Sequence, residues 1–352
     1  MSAIRFESYK SEATILNPLK GFIEETHIVE VRKDPLLGDK SVYNPALKDK
    51  VKFFFGDCDA GLIEKMVEDS AKTCIFCGER IEQSTPRYPE SLVTEGRLKI
   101  GESVLFPNLF PVGKYHSVIA LSKAHFLKLA EFSPEIICNG LRAAKQFVNT
   151  VYCHDQEAAF VAVNANYLFP AGATLTHPHL QMLITPTAYS YHDRLIQACH
   201  KYHQKNGAEY YPDLIEAERN IGVRYIAQKG RWHWMAAFSP VGINEIIAVH
   251  ESEKDFGVLP DSDLMNLASG ISKVLALYDG LGHLSFNYSI LSARKPTAAE
   301  GFRCILKMIS RQNLYPNYRN DDYFLQKLLQ TELIINLPEE LAMKMRKLFQ
   351  EV

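Results

Sequence analysis

Two stretches of the chain repeat one order of hydrophobic and polar patterns about 125 residues apart. In the first, the alternating segment HSVIAL (116–121) precedes an amphipathic helix pattern over 133–152. In the second, NEIIAV (244–249) precedes a similar pattern over 260–280. Apolar residues recur at spacings of three and four in both helical segments, and a Ser-Pro or Pro-Asp start signal opens each one. The pattern therefore predicts a degenerate internal repeat.

Two more strand patterns follow each predicted helix. They cover 159–167 and 177–186 in the first copy, and 284–292 and 302–310 in the second. Their alternation is typical of antiparallel strands with one covered face. We therefore predict an α+β fold with two degenerate half-domains, each an antiparallel sheet with a packed helix.

The region between the copies, 187–230, favours helix around 191–205 and has a polar break at 205–207. We interpret it as a connector that packs on the protein, since it contains no Gly/Ser-rich tract. The predicted divisions are an N-terminal half at 25–190, a helical connector at 191–230 and a C-terminal half at 231–352.

Composition narrows the class of protein. The 352 residues carry 39 Lys and Arg against 41 Asp and Glu, a net charge of −2. We expect no nucleic-acid partner, although a basic patch can hide in a neutral total. No apolar stretch approaches the length of a membrane span and no signal peptide is recognisable, so we expect no membrane partner and a reducing cytoplasmic location. The seven cysteines are sparse for this length.

Cys74 and Cys77 form a close pair, Cys-Ile-Phe-Cys-Gly. Two thiolates separated by two residues can bind one tetrahedral metal ion. No second cysteine pair exists, so the remaining ligands must be distant histidines. A reduced surface pair is the alternative, and a redox pair is disfavoured because no βαβ pattern surrounds it.

The segment Thr-His-Pro-His-Leu-Gln holds the second chemical signal. His177, His179 and Gln181 point the same way on a strand, because side chains alternate with period two. The glycine-bearing loop 170–174 precedes them and allows close backbone approach to a phosphate. A solvent-facing polar strand is the alternative interpretation.

The stretch NANYLFPAGATLTHPHLQ (164–181) resembles the active-site segment of galactose-1-phosphate uridylyltransferases (GalT), within the histidine triad (HIT) superfamily. The doubled half-domain also resembles that family, and the similarity covers about residues 25–345. Other matching elements are Arg32–Gly38 (R-x-DP-L-T-G in the family), the cysteine pair followed by Thr85-Pro86, and Pro107–Pro111 (P-N-x-F/Y-P).

The resemblance implies a HIT-like fold and a nucleotidyltransferase. His179 would attack a nucleotide sugar, form a covalent nucleotidyl-histidine, and pass the nucleoside monophosphate to a sugar 1-phosphate. Gln181 would hydrogen-bond the phosphoryl oxygens. Substrate contacts are expected from Asn108, Asn166, Gly172, Thr174 and Lys50.

The resemblance also implies one structural zinc per chain. Its ligands would be Cys74, Cys77, His177 and His125, with His116 as a rival for the fourth position. A homodimer is possible by the same resemblance. The expected partners are a nucleotide sugar and a phosphorylated small molecule.

The chain departs from the family pattern at three places. Leu47 and Lys50 stand where two arginines are usual, and Phe302-Arg303-Cys304 stands at the second H-x-H, so no second metal is expected. In the carboxyl-terminal part only Glu332 matches the hexose-binding set, and a solvated strand end is an equal interpretation.

Two alternatives to the transferase therefore stay open. One is a phosphorylase of a nucleotide sugar or dinucleoside polyphosphate that uses inorganic phosphate. The other is a zinc-stabilised nucleotide-binding protein without turnover. A loose basic group, Lys307, Arg311 and Arg319, is either a phosphate contact or ordinary surface charge.

Overall fold

The computed structural model describes residues 3–50, 55–294, 301–317 and 320–350, without the side chains of Asp49 and Lys50. The predicted contacts of Lys50 and Arg319 therefore lie outside the described residues.

Strands and α-helices are interspersed along the chain. The strands in the described residues are β1 (Glu7–Asn17), β2 (Ile23–Lys33), β3 (Lys40–Tyr43), β4 (Leu98–Ile100), β5 (Ser103–Pro107), β6 (Tyr115–Ala120), β7 (Phe160–Tyr167), β8 (His179–Thr185), β9 (Tyr225–Lys229), β10 (Trp232–Ala236), β11 (Ile246–His250), β12 (Phe286–Ala293), β13 (Ile305–Ser310) and β14 (Thr331–Ile334). The α-helices are α1 (Ala60–Thr73), α2 (Arg80–Ser84), α3 (Pro134–His154), α4 (Ser190–Asn206), α5 (Tyr210–Ile221), α6 (Asp261–Gly280), α7 (Phe324–Lys327) and α8 (Pro338–Gln350).

The predicted repeat is confirmed. Ten strands form one sheet in the order β4-β5-β6-β8-β7-β12-β13-β11-β10-β9. The first five and the last five have the same topology, and they meet where β7 pairs with β12 in antiparallel register. The two half-sheets are thus continuous, related by an approximate two-fold axis between β7 and β12.

One side of this sheet, the helix face, packs against α3 and α6. Alternate residues of β7 and β8, such as Val163, Leu180 and Met182, join the main hydrophobic core there. Ser133 is the N-cap of helix α3. Its hydroxyl accepts a hydrogen bond from Ile136 N and so satisfies a free amide of the first turn. The residues of opposite parity lie on the other side, which we call the site face.

The strand register corrects the alignment of the second copy. Ala120 lies opposite His179 in the first half, and Val249 lies opposite Ile305 in the second. The counterpart of His179 is therefore Ile305, one residue after the Phe302-Arg303-Cys304 segment suggested by sequence. Cys304 is fully buried in the main core.

A second, four-stranded sheet has the order β1-β2-β3-β14, with β14 parallel to β3. The repeat pattern did not predict this sheet. Strands β1 and β2 form a long hairpin whose first strand is exposed almost throughout, so no burial pattern marks it. The predicted connector also ends in a strand, β9, which forms an edge of the large sheet.

Two general features concern the chemistry of the chain. All seven cysteines are free thiols. Among the described residues, no helix combines the length and apolar character needed to cross a membrane.

Replacing Gly270 by Ala should destabilise the second half. A Cβ atom at this position of α6 would lie 1.9 Å from Cζ2 of the fully buried Trp234, so ring or helix must move. We expect a loss of about 2 kcal/mol in the free energy of unfolding, measured by urea denaturation. Gly280→Ala is the matched control, because no atom lies within 4 Å of a Cβ there. Equal effects of the two substitutions would contradict the packing argument.

Candidate active site and metal centre

Four side chains that are distant in sequence converge beside β8. One ligand atom from each of Cys74, Cys77, His125 and His177 lies within 4.8 Å of the other three. The Cys77 sulfur is 3.2 Å from His125 Nδ1 and 3.4 Å from His177 Nδ1, and the Cys74 sulfur is 3.7 Å from His177 Nδ1. Two ligands of a tetrahedral zinc, at Zn–S and Zn–N distances of about 2.3 and 2.0 Å, would lie about 3.5 Å apart. The residues present therefore fit a closed Cys₂His₂ metal site.

Both histidines are held with Nδ1 facing the cluster. His177 Nε2–H donates to the Ser122 carbonyl at 2.8 Å, and His125 Nε2 lies 2.8 Å from the Ser70 hydroxyl. Burial lowers the pKa of His177 to about 4 and also lowers the pKa of His125. Neutral rings whose outer nitrogens are engaged present a lone pair at Nδ1, as a metal ligand requires.

The local sequence explains how the cysteines converge. Helix α1 ends at Thr73 with Cys74 as its C-cap, and the backbone N–H of Cys77 donates to the Cys74 carbonyl in a tight turn. Gly78 then takes a positive φ of 58°, which lets the chain leave the turn. Phe76, between the two cysteines, packs edge-on against the rings of both His177 and His179. The cysteine turn therefore also supports His179.

His179 opens β8 on the site face and is 8% exposed. Its Nδ1–H donates to the His177 carbonyl at 2.8 Å. This bond fixes the tautomer that carries the lone pair on Nε2, and no hydrogen bond to Nε2 is present in the described part of the chain. Burial lowers the pKa of His179, which favours the neutral, nucleophilic ring.

His116 is oriented toward Gln181 and lies outside the metal cluster. Its Nδ1 accepts from Val112 N, so Nε2 carries the proton and donates to Gln181 Oε1 at 2.9 Å. With its oxygen occupied, Gln181 directs its NH₂ group to other acceptors. Sequence reasoning had offered His116 only as a rival ligand, and its role in orienting Gln181 was missed.

The loop between β7 and β8 has a constrained backbone. Leu168 has φ 65° and ψ 167°, a backbone conformation that residues other than glycine rarely adopt. Gly172 has φ 86°. Gly172 and Thr174 are exposed on this loop, as a phosphate contact requires. Such strain persists only where surrounding contacts determine it.

Those contacts come from the second half of the chain. Asn287 Nδ2 donates to the Ala171 carbonyl at 2.8 Å and to Asn166 Oδ1 at 2.7 Å. Arg311 donates to Asn287 Oδ1 and forms a paired interaction with Asp321. The predicted substrate residue Asn166 is thus tied to a strand 121 positions away. The asparagine in the predicted second-copy strand was the only sequence signal for this link.

Two other residues predicted for the site, Asn108 and Glu332, lie in different surroundings. The Asn108 amide nitrogen lies 3.4 Å from His116 Nε2, so this side chain is beside the His116–Gln181 pair. Glu332 is buried, where it accepts from Gln326 Nε2 and Leu333 N, and burial raises its pKa to about 7. The interpretation of Glu332 as a solvated strand end is therefore wrong.

The loose basic group suggested by sequence does not form a free phosphate contact in the described residues. Lys307 pairs with Glu245 and donates to the Tyr191 hydroxyl. Arg311 is occupied by Asp321, as described above.

Comparison with solved structures identifies the fold. An ADP-glucose phosphorylase from Arabidopsis thaliana with bound ADP-glucose superposes with a TM-score of 0.68 at 18% identity, covering 91% of this chain and 99% of that one. A GalT-like protein from the same plant gives 0.67 at 18% identity, with 90% and 98% coverage. A uridylyltransferase gives 0.62 at 18% identity, with 76% and 89% coverage. The chain therefore has the fold of these GalT-like proteins, and the predicted resemblance is confirmed at the level of fold.

A sequence relative refines this classification. The chain belongs to one family with an uncharacterized protein of Archaeoglobus fulgidus, with which it shares 30% identity over 345 residues, 98% of this chain and 99% of the relative. No protein-family model matches the sequence.

The metal-ligand assignment makes His125 and His116 distinguishable. His125→Ala should reduce bound metal to well below one ion per chain and lower the unfolding temperature, because a Cys₂His₂ site loses one of four ligands. His116→Ala should retain full metal content. Metal analysis of the purified variants by mass spectrometry checks both, and loss of metal from the His116 variant would exchange the assignments.

Asn287→Ala should loosen the loop that precedes β8. We expect a loss of about 1 kcal/mol in the free energy of unfolding, because Ala171 O and Asn166 Oδ1 each lose a partly buried donor. Proteolysis or hydrogen exchange should show increased opening at 168–174. Asn139→Ala, on the opposite side of the sheet in α3, is the control. Unchanged protection of the loop would show that Asn287 does not hold it.

Proposed function

We propose that this protein is an enzyme that transfers a nucleoside monophosphate from a nucleotide sugar to a phosphate-bearing acceptor through a covalent nucleotidyl-histidine on His179. The observation that carries the proposal is the hydrogen bond from His179 Nδ1 to the His177 carbonyl, which leaves Nε2 as the nucleophile. A residue used only for binding would not need this arrangement.

In the first step Nε2 of His179 attacks the α-phosphorus of the donor. The P–N bond forms as the bond between the α-phosphorus and the bridging oxygen breaks, and the sugar 1-phosphate leaves with that oxygen. The NH₂ group of Gln181, directed by His116, donates to a non-bridging phosphoryl oxygen on which charge develops. Thr174 and the loop at Gly172 supply further polar contacts from an exposed position.

In the second step an oxygen of the acceptor phosphate attacks the same phosphorus and His179 Nε2 is released. Splitting the transfer at a histidine lets one site serve both half-reactions. His179 returns to the neutral tautomer fixed by the His177 carbonyl, so the site is ready for another donor.

The Cys74, Cys77, His125 and His177 set would hold a structural zinc. The bound ion would crosslink α1 and the cysteine turn to the segment that begins β8, and it would supply no reacting ligand position because all four are protein atoms. The side chain of His177 belongs to this set, and its backbone carbonyl orients His179. His177 therefore connects the metal site to the proposed nucleophile.

A phosphorolytic reaction is the second candidate, with inorganic phosphate as acceptor. This reaction needs no sugar contact in the acceptor step. The side chain of Glu332, which the resemblance matched to hexose binding, is buried and accepts hydrogen bonds from Gln326 and Leu333 instead. The similarity in fold to an ADP-glucose phosphorylase is compatible with this candidate. Both candidates share the same first step.

The covalent step is tested by intact-protein mass spectrometry after incubation with UDP-glucose, UDP-galactose, ADP-glucose, GDP-mannose or diadenosine tetraphosphate. We expect a mass gain of one nucleoside monophosphate with the correct donor. His179→Ala should lose the adduct and at least about 10³-fold in turnover while it keeps the metal. His27→Ala, in the β1–β2 hairpin, is the control. Nucleotide binding without adduct or turnover would instead support a binding protein.

The acceptor is decided by adding inorganic phosphate or a hexose 1-phosphate to the isolated adduct. Release of a nucleoside diphosphate with phosphate alone supports the phosphorylase. Release of a new nucleotide sugar only with hexose 1-phosphate supports the transferase and would contradict the argument from Glu332.

A further inference from the structure

A groove of about 1030 Å³ lies away from the candidate active site and shares no lining residue with it. Three segments form its walls: the N-terminal residues 3–7, the turn 33–38 after β2, and one side of helix α4. Its volume is that of a site for a small molecule of nucleotide size.

The groove is strongly basic although the chain as a whole carries a net charge of −2. Five cationic side chains line it, against the acidic Glu7 and Asp34. The five are Arg5, Lys33, Arg194, Lys201 and Lys205.

Few of these charges are neutralised within the chain. Lys33 pairs with Glu7, and Arg194 pairs with Asp39. Arg5, Lys201 and Lys205 are exposed and form no ion pair within the described part of the chain. The groove therefore retains an excess of positive charge that faces solvent.

The carboxyl group of Asp34 neutralises little of this positive charge. Its Oδ1 accepts hydrogen bonds from the backbone N–H groups of Leu36 and Leu37, so this carboxylate is used to form the turn. Burial also raises the pKa of Asp34, which disfavours the negatively charged form.

Helix stability alone does not explain the arrangement. Lys201 and Lys205 are one turn apart near the carboxyl end of α4, where cations favour the helix dipole. Arg5 and Lys33, however, come from other segments and converge on the same groove. The interaction with the helix dipole therefore does not explain the positions of Arg5 and Lys33.

Apolar residues also line the groove, and they include Ile4, Pro35, Leu36 and Leu37. Tyr202 joins them, and its hydroxyl is held by Asp213. A groove lined by both cationic and apolar side chains suits a molecule that combines several phosphates with an organic group.

We propose that this basic groove binds a polyphosphate chain, as in a nucleoside triphosphate or inorganic tripolyphosphate. A single phosphate carries too little charge to balance the five-cation set, whereas a chain of three carries enough to pair with cations from more than one segment. Lysine binds phosphate as a point charge and arginine through two parallel hydrogen bonds, and both residue types are present. The groove is separate from the site of His179, so occupancy does not depend on the covalent step.

Isothermal titration calorimetry with inorganic tripolyphosphate and with ATP, in the absence of a sugar nucleotide, tests the proposal. The double variant Lys201→Glu with Lys205→Glu should bind tripolyphosphate at least about tenfold more weakly than the unaltered protein, because two attractive charges become repulsive. The control is Lys344→Glu with Lys347→Glu, two exposed lysines on α8. It should bind as the unaltered protein does.

The two ligands separate the possible sources of the phosphates. Equal affinities show that the chain of phosphates alone is recognised. Tighter binding of ATP that is lost in the Lys201 and Lys205 double variant and kept in His179→Ala shows that apolar residues of the groove contact the nucleoside. Either result supports the proposal. Equal weakening in both double variants would overturn it by showing a general charge effect. Binding of a single-stranded oligonucleotide with no binding of tripolyphosphate would also overturn it. Circular dichroism confirms that each variant is folded.

Discussion

The antiparallel pairing of β7 with β12 is the constraint on which the rest of this structure depends. It joins two half-sheets into one sheet and places Asn166 directly opposite Asn287, and Asn164 opposite Ser289. Ser289 donates to Asn164, and Asn164 in turn donates to the backbone carbonyl of Gln181. The second half thus supports the first through hydrogen bonds on the site face.

The strand that carries His179 is supported from two directions. On one side the cysteine turn packs Phe76 against the His177 and His179 rings, and the metal-ligand set gathers behind them. On the other side Asn287 holds the strained loop before β8. In the proposed reaction His179 must meet a phosphorus atom at a fixed angle, and such preorganisation would favour it, since loss of alignment costs rate directly.

The two halves share a topology but not a chemistry. The first half has His179 and Gln181 where the second has Ile305 and Lys307. The counterpart of the His116–Gln181 hydrogen bond is the Lys307–Glu245 ion pair, which is enclosed beneath Tyr191. In the second half Ile305 and Phe302 belong to an apolar cluster, whereas the first half has the candidate metal-ligand set. Among the described residues, the second half has no counterpart of the His179 and Gln181 side chains, and it supports the first half through Asn287 and Ser289.

The sequence by itself determined the repeat, the helices α3 and α6, and the identity of the side chains proposed for the site. These depend on local periodicity and on short motifs, in which His177 and His179 share a face because a strand alternates. It did not determine the β1–β2 hairpin, which has no buried face, nor the parallel pairing of β14 with β3 across about 290 residues. Only the tertiary structure separated His125 from His116, attached Asn287 to Asn166, and gathered the basic groove, because each joins residues whose separation in sequence carries no periodic signal.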